Sequence, residues 1–93
     1  MKDFSKIYRV GNIAFGSAGT LEESLRFKRY VKTNIPKGTR IDDIEDYFVQ
    51  FYDEQKKINS NFVPSNHYLF VYKSSLFAVQ QYSIREVPER SAI

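Results

Sequence analysis

The chain has 93 residues, no cysteine and a formal net charge of +3 at neutral pH, which is the size of one small domain spanning residues 1–93. The lack of cysteine excludes disulfides and thiolate chemistry. No signal-peptide core and no run of about 18 apolar residues is present, which disfavours secretion and membrane spanning. We therefore expect one cytoplasmic domain, with a core rich in its seven Tyr and eight Phe residues.

The first segment with a clear pattern predicts a hairpin. Residues 6–10 and 13–15 have strand-like alternation around Gly11 and Asn12, which are typical turn residues. Residues 16–19 are then all small, so another backbone or a ligand can approach them closely.

Two helices are predicted next. Thr20 with Glu23 has the spacing of a capping box, and the helix that follows should end near Asn34. Thr39 is the expected cap of the second helix, whose first turn is rich in carboxylates. The apolar positions assigned to the two buried faces are Leu21, Leu25, Phe27, Tyr30 and Val31, then Ile41, Ile44, Phe48, Phe51 and Tyr52.

The last third predicts a second hairpin. Residues 67–72 and 76–82 have aromatic and β-branched character and flank a turn at residues 73–75. The nearly continuous apolar run of residues 68–72 predicts burial on both faces, or cover by another layer. Residues 85–93 form a tail that begins extended. The whole pattern is ββ-α-α-ββ, an α+β fold with two helices packed on an antiparallel sheet of two hairpins.

Residues 6–20 read KIYRVGNIAFGSAGT. This strand, turn, apolar strand and Gly-Ser-Ala-Gly loop before a helix resembles the proteasome β-subunit and HslV-type family of N-terminal-nucleophile hydrolases. The resemblance is greatest to small phage-type or bacterial members. The helix pair and the later hairpin agree with it, and together they match the middle part of the family domain.

The resemblance assigns roles to three positions. Lys6 corresponds to the lysine that assists the nucleophile, which makes sense because a nearby ammonium favours deprotonation of a hydroxyl. Gly16 corresponds to the glycine whose N–H contributes to the oxyanion hole. Ala18 corresponds to a small residue that lines the substrate pocket.

The same resemblance implies that catalytic parts are missing. The family nucleophile is an N-terminal threonine on a strand well upstream of the lysine, whereas only residues 1–5 precede Lys6. Thr20, Thr33 and Thr39 have no free α-amino group. We therefore expect a truncated, phage-derived proteasome-like domain that is not an enzyme but binds a protein or self-associates. The alternative is a fragment of a threonine-type peptidase that needs the missing segments.

A second candidate site is basic. Arg26, Arg29 and Lys32 lie in the first predicted helix, where they are assigned to partner binding. Nucleic-acid binding through the same helix ranks last among the hypotheses, since a charge of +3 is mild. No set of His, Cys or carboxylates has metal-ligand spacing, so neither a metal nor a cofactor is expected.

Overall fold

Five antiparallel strands form one sheet in the computed structural model, which describes residues 6–88. The elements in chain order are β1 (Ile7–Val10), β2 (Ile13–Ala18), α1 (Leu21–Thr33), α2 (Ile41–Ile58), β3 (His67–Tyr72), β4 (Ser75–Gln80) and β5 (Ser83–Val87). The strands lie in the sheet in the same order, each antiparallel to the next. The predicted α+β class, with two helices on an antiparallel sheet, is confirmed.

The fifth strand was not predicted. The sequence indicated one strand over residues 76–82, but a turn that begins at Gln81, with a φ of +55°, separates β4 from β5. The β3–β4 turn likewise places Lys73 and Ser74 at φ of +49° and +69°. Positive φ at both central residues matches the twist of the flanking strands. Residues 89–93 of the predicted tail lie outside the described residues.

Helix α1 has its predicted cap but not the predicted capping box. The Thr20 hydroxyl accepts from the Glu23 N–H at 3.3 Å. The Glu23 carboxylate does not return to Thr20, because it accepts from Ser65 and Tyr68 instead. The Thr20 N–H donates to Asn66 Oδ1 at 2.8 Å. Asn66, which is 46 residues away in sequence, therefore supplies the acceptor for the backbone N–H at the N-cap of α1.

The apolar face of α1 is narrower than predicted. Phe27, Tyr30 and Val31 are buried, whereas Leu21 and Leu25 are 63% and 49% exposed. Glu23 is buried in the first turn instead, where its carboxylate accepts from Ser65 and Tyr68.

Helix α2 begins one residue later than predicted. Its N-cap is Arg40 and not Thr39, and no side chain caps it. The carboxylates Asp42 and Asp43 occupy the first turn, where negative charge interacts favourably with the helix dipole. Four of the five predicted apolar residues are buried, and Ile41 is partly exposed.

The core lies between the helices and one face of the sheet, and it is built from aromatic rings. Phe27 is fully buried at its centre. The Phe27 ring centroid lies 4.8 Å from those of Phe15, Phe48 and Tyr68, and 5.0 Å from that of Phe51. These edge-to-face, tilted and stacked contacts join both helices to the sheet.

The opposite face of the sheet is uncovered by any described residue. In β3, Tyr68, Phe70 and Tyr72 are buried, whereas Leu69 and Val71 are 36% and 38% exposed. The prediction that this strand is buried on both faces is therefore wrong. The strand alternates as in a sheet that has one face in the core and one in solvent.

Candidate functional site

The three positions that the resemblance assigned meet at one end of the first hairpin. Gly16 pairs with Ile7, the residue after Lys6, and on its other side with Leu69. Ala18 ends β2 and is buried. The Lys6 side chain is exposed and shares a shallow cavity of about 310 Å³ with Ala18.

Two serine hydroxyls line this cavity, and each already has hydrogen-bond partners. Ser17 Oγ and Ser24 Oγ are hydrogen-bonded to each other at 2.7 Å. Asn66 Nδ2 donates to both, at 3.1 and 3.0 Å. The described residues that line the cavity include no carboxylate and no histidine. A serine needs an adjacent base to act as a nucleophile, and only Lys6 is available for that role here.

Asn66 is the centre of this polar cluster and is fully buried. Its Oδ1 accepts from the Thr20 N–H, and its Nδ2 donates to the Thr20 carbonyl at 2.9 Å. Gly19 lies directly against it at a φ of +137°, and a Cβ at that position would be 2.7 Å from Asn66 Cγ. The cluster therefore holds the loop after β2 against the segment before β3.

Glu23 is the buried carboxylate beside the cluster, and its role is structural. Its Oε1 accepts from the Ser65 N–H at 3.1 Å, and its Oε2 accepts from the Tyr68 hydroxyl at 2.8 Å. Burial, together with the charge of Glu23, raises the pKa of Tyr68. Tyr68 therefore remains a hydrogen-bond donor at any physiological pH.

The three basic residues assigned in α1 differ in their surroundings. Arg26 is half-buried and bonds Glu22 Oε2 at 3.2 Å and Gln55 Oε1 at 3.5 Å. Arg29 and Lys32 are exposed. Positions 26, 29 and 32 are spaced three residues apart, so together they spread over about 120° of the helix surface.

The uncovered side of the sheet is the largest feature that the sequence did not predict. We call it the open face and define it by three cross-strand rows. The first row is Ala18, His67, Gln80 and Ser83. The second row is Ile7, Gly16, Leu69, Ala78 and Arg85. The third row is Arg9, Ala14, Val71, Leu76 and Val87.

The open face is apolar in the middle and basic at its sides. Arg9 lies on β1 and Arg85 on β5, the two edge strands. Among residues 7–87, no Asp or Glu occupies an outward position of the three rows. An exposed apolar surface bordered by polar groups is typical of an interaction site. An alternation of polar and apolar residues along β3 would have predicted an exposed face. Because Leu69 and Val71 are apolar although they point outward, the sequence of β3 does not show that alternation.

Comparison with known proteins gives a structural likeness and no sequence relative. No family profile and no curated protein sequence matches the chain. Thiobacillus denitrificans BPH in complex with epoxomicin superposes with a TM-score of 0.71 at 18% identity, over 90% of this chain and 49% of that one. A second structure, Thiobacillus denitrificans BPH, superposes with a TM-score of 0.72 at 16% identity, over 89% of this chain and 49% of that one. The fold is proteasome-like.

The likeness confirms the fold that residues 6–20 predicted. This chain spans about half the length of the two structures.

Residues 6–88 offer neither a metal-binding cluster nor a membrane-spanning helix. No group of three or more His, Asp or Glu that could hold a metal ion is found there. Neither helix has a stretch long and apolar enough to cross a bilayer.

Proposed function

We propose that this chain is a non-catalytic protein-binding domain that corresponds to half of a proteasome-like fold. The open face is its binding surface. The observation that carries the proposal is the exposure of Leu69 and Val71 on a central strand, where side chains of a complete core are normally covered.

The cavity beside Lys6 supports the non-catalytic part of this proposal. Both serine hydroxyls that line the cavity, those of Ser17 and Ser24, accept hydrogen bonds from Asn66 Nδ2. The described loop is held by buried hydrogen bonds, which favours a structural function for the Gly-Ser-Ala-Gly segment.

One observation favours a second candidate, a fragment of a threonine-type peptidase. Lys6 and Ala18 line one cavity, and a structure with this fold is a complex with epoxomicin. Intact-mass analysis after incubation with epoxomicin, with the chain alone and with the upstream threonine segment supplied, separates the two functions. We expect no adduct in either sample. A stoichiometric adduct would establish that the chain is part of a threonine-type peptidase.

The binding part is tested on the open face itself. The double variant Leu69→Lys/Val71→Lys places two charges in its centre, and Leu25→Lys is the matched control on α1, where the leucine is also exposed. We expect the double variant to lose binding of an apolar dye and of co-purifying protein, and the control to keep both. Equal behaviour of the two variants would contradict the proposal.

A further inference from the structure

A further cavity lies on the helix side of the sheet, at the end of the core opposite Lys6. It is bounded by the last turn of α1, the β1–β2 turn and the β3–β4 turn, and its volume is about 420 Å³. This volume falls within the range of about 300–1,000 Å³ that is typical of small-molecule sites. Its walls are largely apolar and are formed by Val10, Ile13, Val31 and Ile35.

The cavity contains a buried hydroxyl that has no hydrogen-bond partner within residues 6–88. Tyr72 lines the cavity and is only 5% exposed. The other buried tyrosines each donate to a carbonyl or carboxylate of the chain; they are Tyr30, Tyr47, Tyr52 and Tyr68. No fully enclosed side-chain oxygen or nitrogen in this part of the chain lacks a partner. The Tyr72 hydroxyl is therefore reached from the cavity, where it can donate to a ligand.

The charges around this hydroxyl are positive. Lys32 and Lys73 line the cavity, and Lys73 Nζ lies 5.4 Å from the centroid of the Tyr72 ring. No Asp or Glu of residues 6–88 lines the cavity, and neither lysine forms an ion pair with a carboxylate of this range. Two ammonium groups and a free hydroxyl donor, with no carboxylate beside them, favour an anionic ligand.

We propose that this cavity binds a small apolar carboxylic acid in its ionised form. The carboxylate accepts from the Tyr72 hydroxyl and pairs with Lys32 and Lys73, while the apolar chain covers Ile35, which is 72% exposed. The last turn of α1 carries partial negative charge, which favours a singly charged carboxylate over a doubly charged phosphate. The site lies apart from the open face and adds a small-molecule ligand to the proposed function.

A titration with octanoate tests the proposal, followed in heteronuclear NMR spectra of the nitrogen-15-labelled chain. We expect saturable shifts of the backbone amides of Gly11, Asn12, Lys32 and Lys73, and no saturable shift at Leu69 on the open face. Three matched ligands separate charge from apolar burial. Octanol has the same chain without the charge and should bind roughly tenfold more weakly or less. Octylammonium reverses the charge and acetate lacks the chain, so neither should give saturable shifts.

Variants test the polar groups in the same titration. Tyr72→Phe removes only the hydroxyl, and we expect octanoate binding to weaken about tenfold or more. The urea midpoint of this variant should not change, because the hydroxyl has no partner within residues 6–88. Lys32→Gln/Lys73→Gln should weaken binding about fivefold. Lys56→Gln/Lys57→Gln is the matched control, since it changes the net charge equally at exposed positions outside the cavity, and it should keep the full affinity.

Four outcomes would overturn the proposal. Octanol that binds as tightly as octanoate would exclude recognition of the charge, and unchanged binding by Tyr72→Phe would exclude the hydroxyl. Saturable shifts centred on Leu69 would place the ligand on the open face instead. N-acetylleucylleucine has the same carboxylate chemistry at the end of a peptide. If it bound at least tenfold more tightly than octanoate, the ligand would be a peptide terminus and not a free acid.

Discussion

Replacement of Gly19 by alanine tests the polar cluster that joins the two halves of the chain. Gly19 has a φ of +137°, which L side chains rarely adopt. A Cβ there would overlap the Asn66 amide and lie 3.0 Å from Asn66 Cα. The Asn66 side chain has little room to move, since it is fully buried and hydrogen-bonded to Thr20, Ser17 and Ser24.

Two costs add in Gly19→Ala. The backbone conformation costs about 1–3 kcal/mol for a residue other than glycine. Displacement of Asn66 breaks the hydrogen bonds of a fully buried amide, which costs about 1–3 kcal/mol more. We therefore expect a loss of about 2–6 kcal/mol, centred on about 4 kcal/mol, from the free energy of unfolding. For a chain of 93 residues, that free energy is about 5–14 kcal/mol.

Gly11→Ala is the matched control. Gly11 also has a positive φ, +57°, but a Cβ there would have no atom within 4 Å. The free energy of unfolding of this control should fall by only about 1–2 kcal/mol, the cost of a left-handed backbone conformation at alanine.

Urea unfolding followed by far-UV circular dichroism measures the difference. With a slope of about 1 kcal/mol per molar urea, the midpoint of Gly19→Ala should lie about 2–3 M below that of Gly11→Ala. Adding Asn66→Ala to Gly19→Ala should give a loss smaller than the sum of the single losses, because the overlap disappears. Equal midpoints for the two glycine variants would refute the reasoning.

Three further predictions concern buried hydrogen bonds. Glu23→Ala should lose about 2–4 kcal/mol of stability in urea unfolding, because the Tyr68 hydroxyl and a backbone N–H lose their acceptor; Glu22→Ala, which removes only an exposed ion pair, should lose less than about 0.5 kcal/mol. Burial raises the pKa of Tyr30 to about 12 and also raises the pKa of Tyr68. The contribution of these two protonated hydroxyls to the free energy of unfolding is therefore complete below pH 10, and it is lost as the pH rises above 10. The urea midpoint should fall above pH 10, and a midpoint that stayed constant to pH 12 would contradict this. Tyr30→Phe should lose about 1 kcal/mol, since it removes one hydrogen bond to a buried carbonyl; a variant as stable as the parent chain would show that this bond contributes nothing.

Much of the fold could be predicted because the local signals agree with the tertiary structure. Glycine at position 11 marks the first hairpin, and the spacing of Ile44, Phe48 and Phe51 marks α2. The last turn could not be predicted, since Gln81 adopts a positive φ without being Gly, Asn or Asp. That missed turn is why β5 was assigned to an extended tail.

The site was less predictable because its contacts are distant in sequence. Lys6 and Ala18 were predicted and do share a cavity. Asn66 is 46 residues from Thr20, with which it bonds, and a polar residue after a proline looks like an ordinary loop residue. The open face is exposed because both helices cover the other side of the sheet. The residue pattern along a single strand does not show which side the helices cover.

Oxidative footprinting tests the central claim, that the open face binds another protein, most directly. Leu69 and Leu25 are the same residue type, are both exposed, and lie on the open face and on α1 respectively. Hydroxyl-radical labelling is measured for each leucine in the purified chain and in source-cell lysate. We predict that Leu69 is protected in the lysate while Leu25 is labelled equally in both samples. Labelling of Leu69 that is unchanged by the lysate would contradict the account.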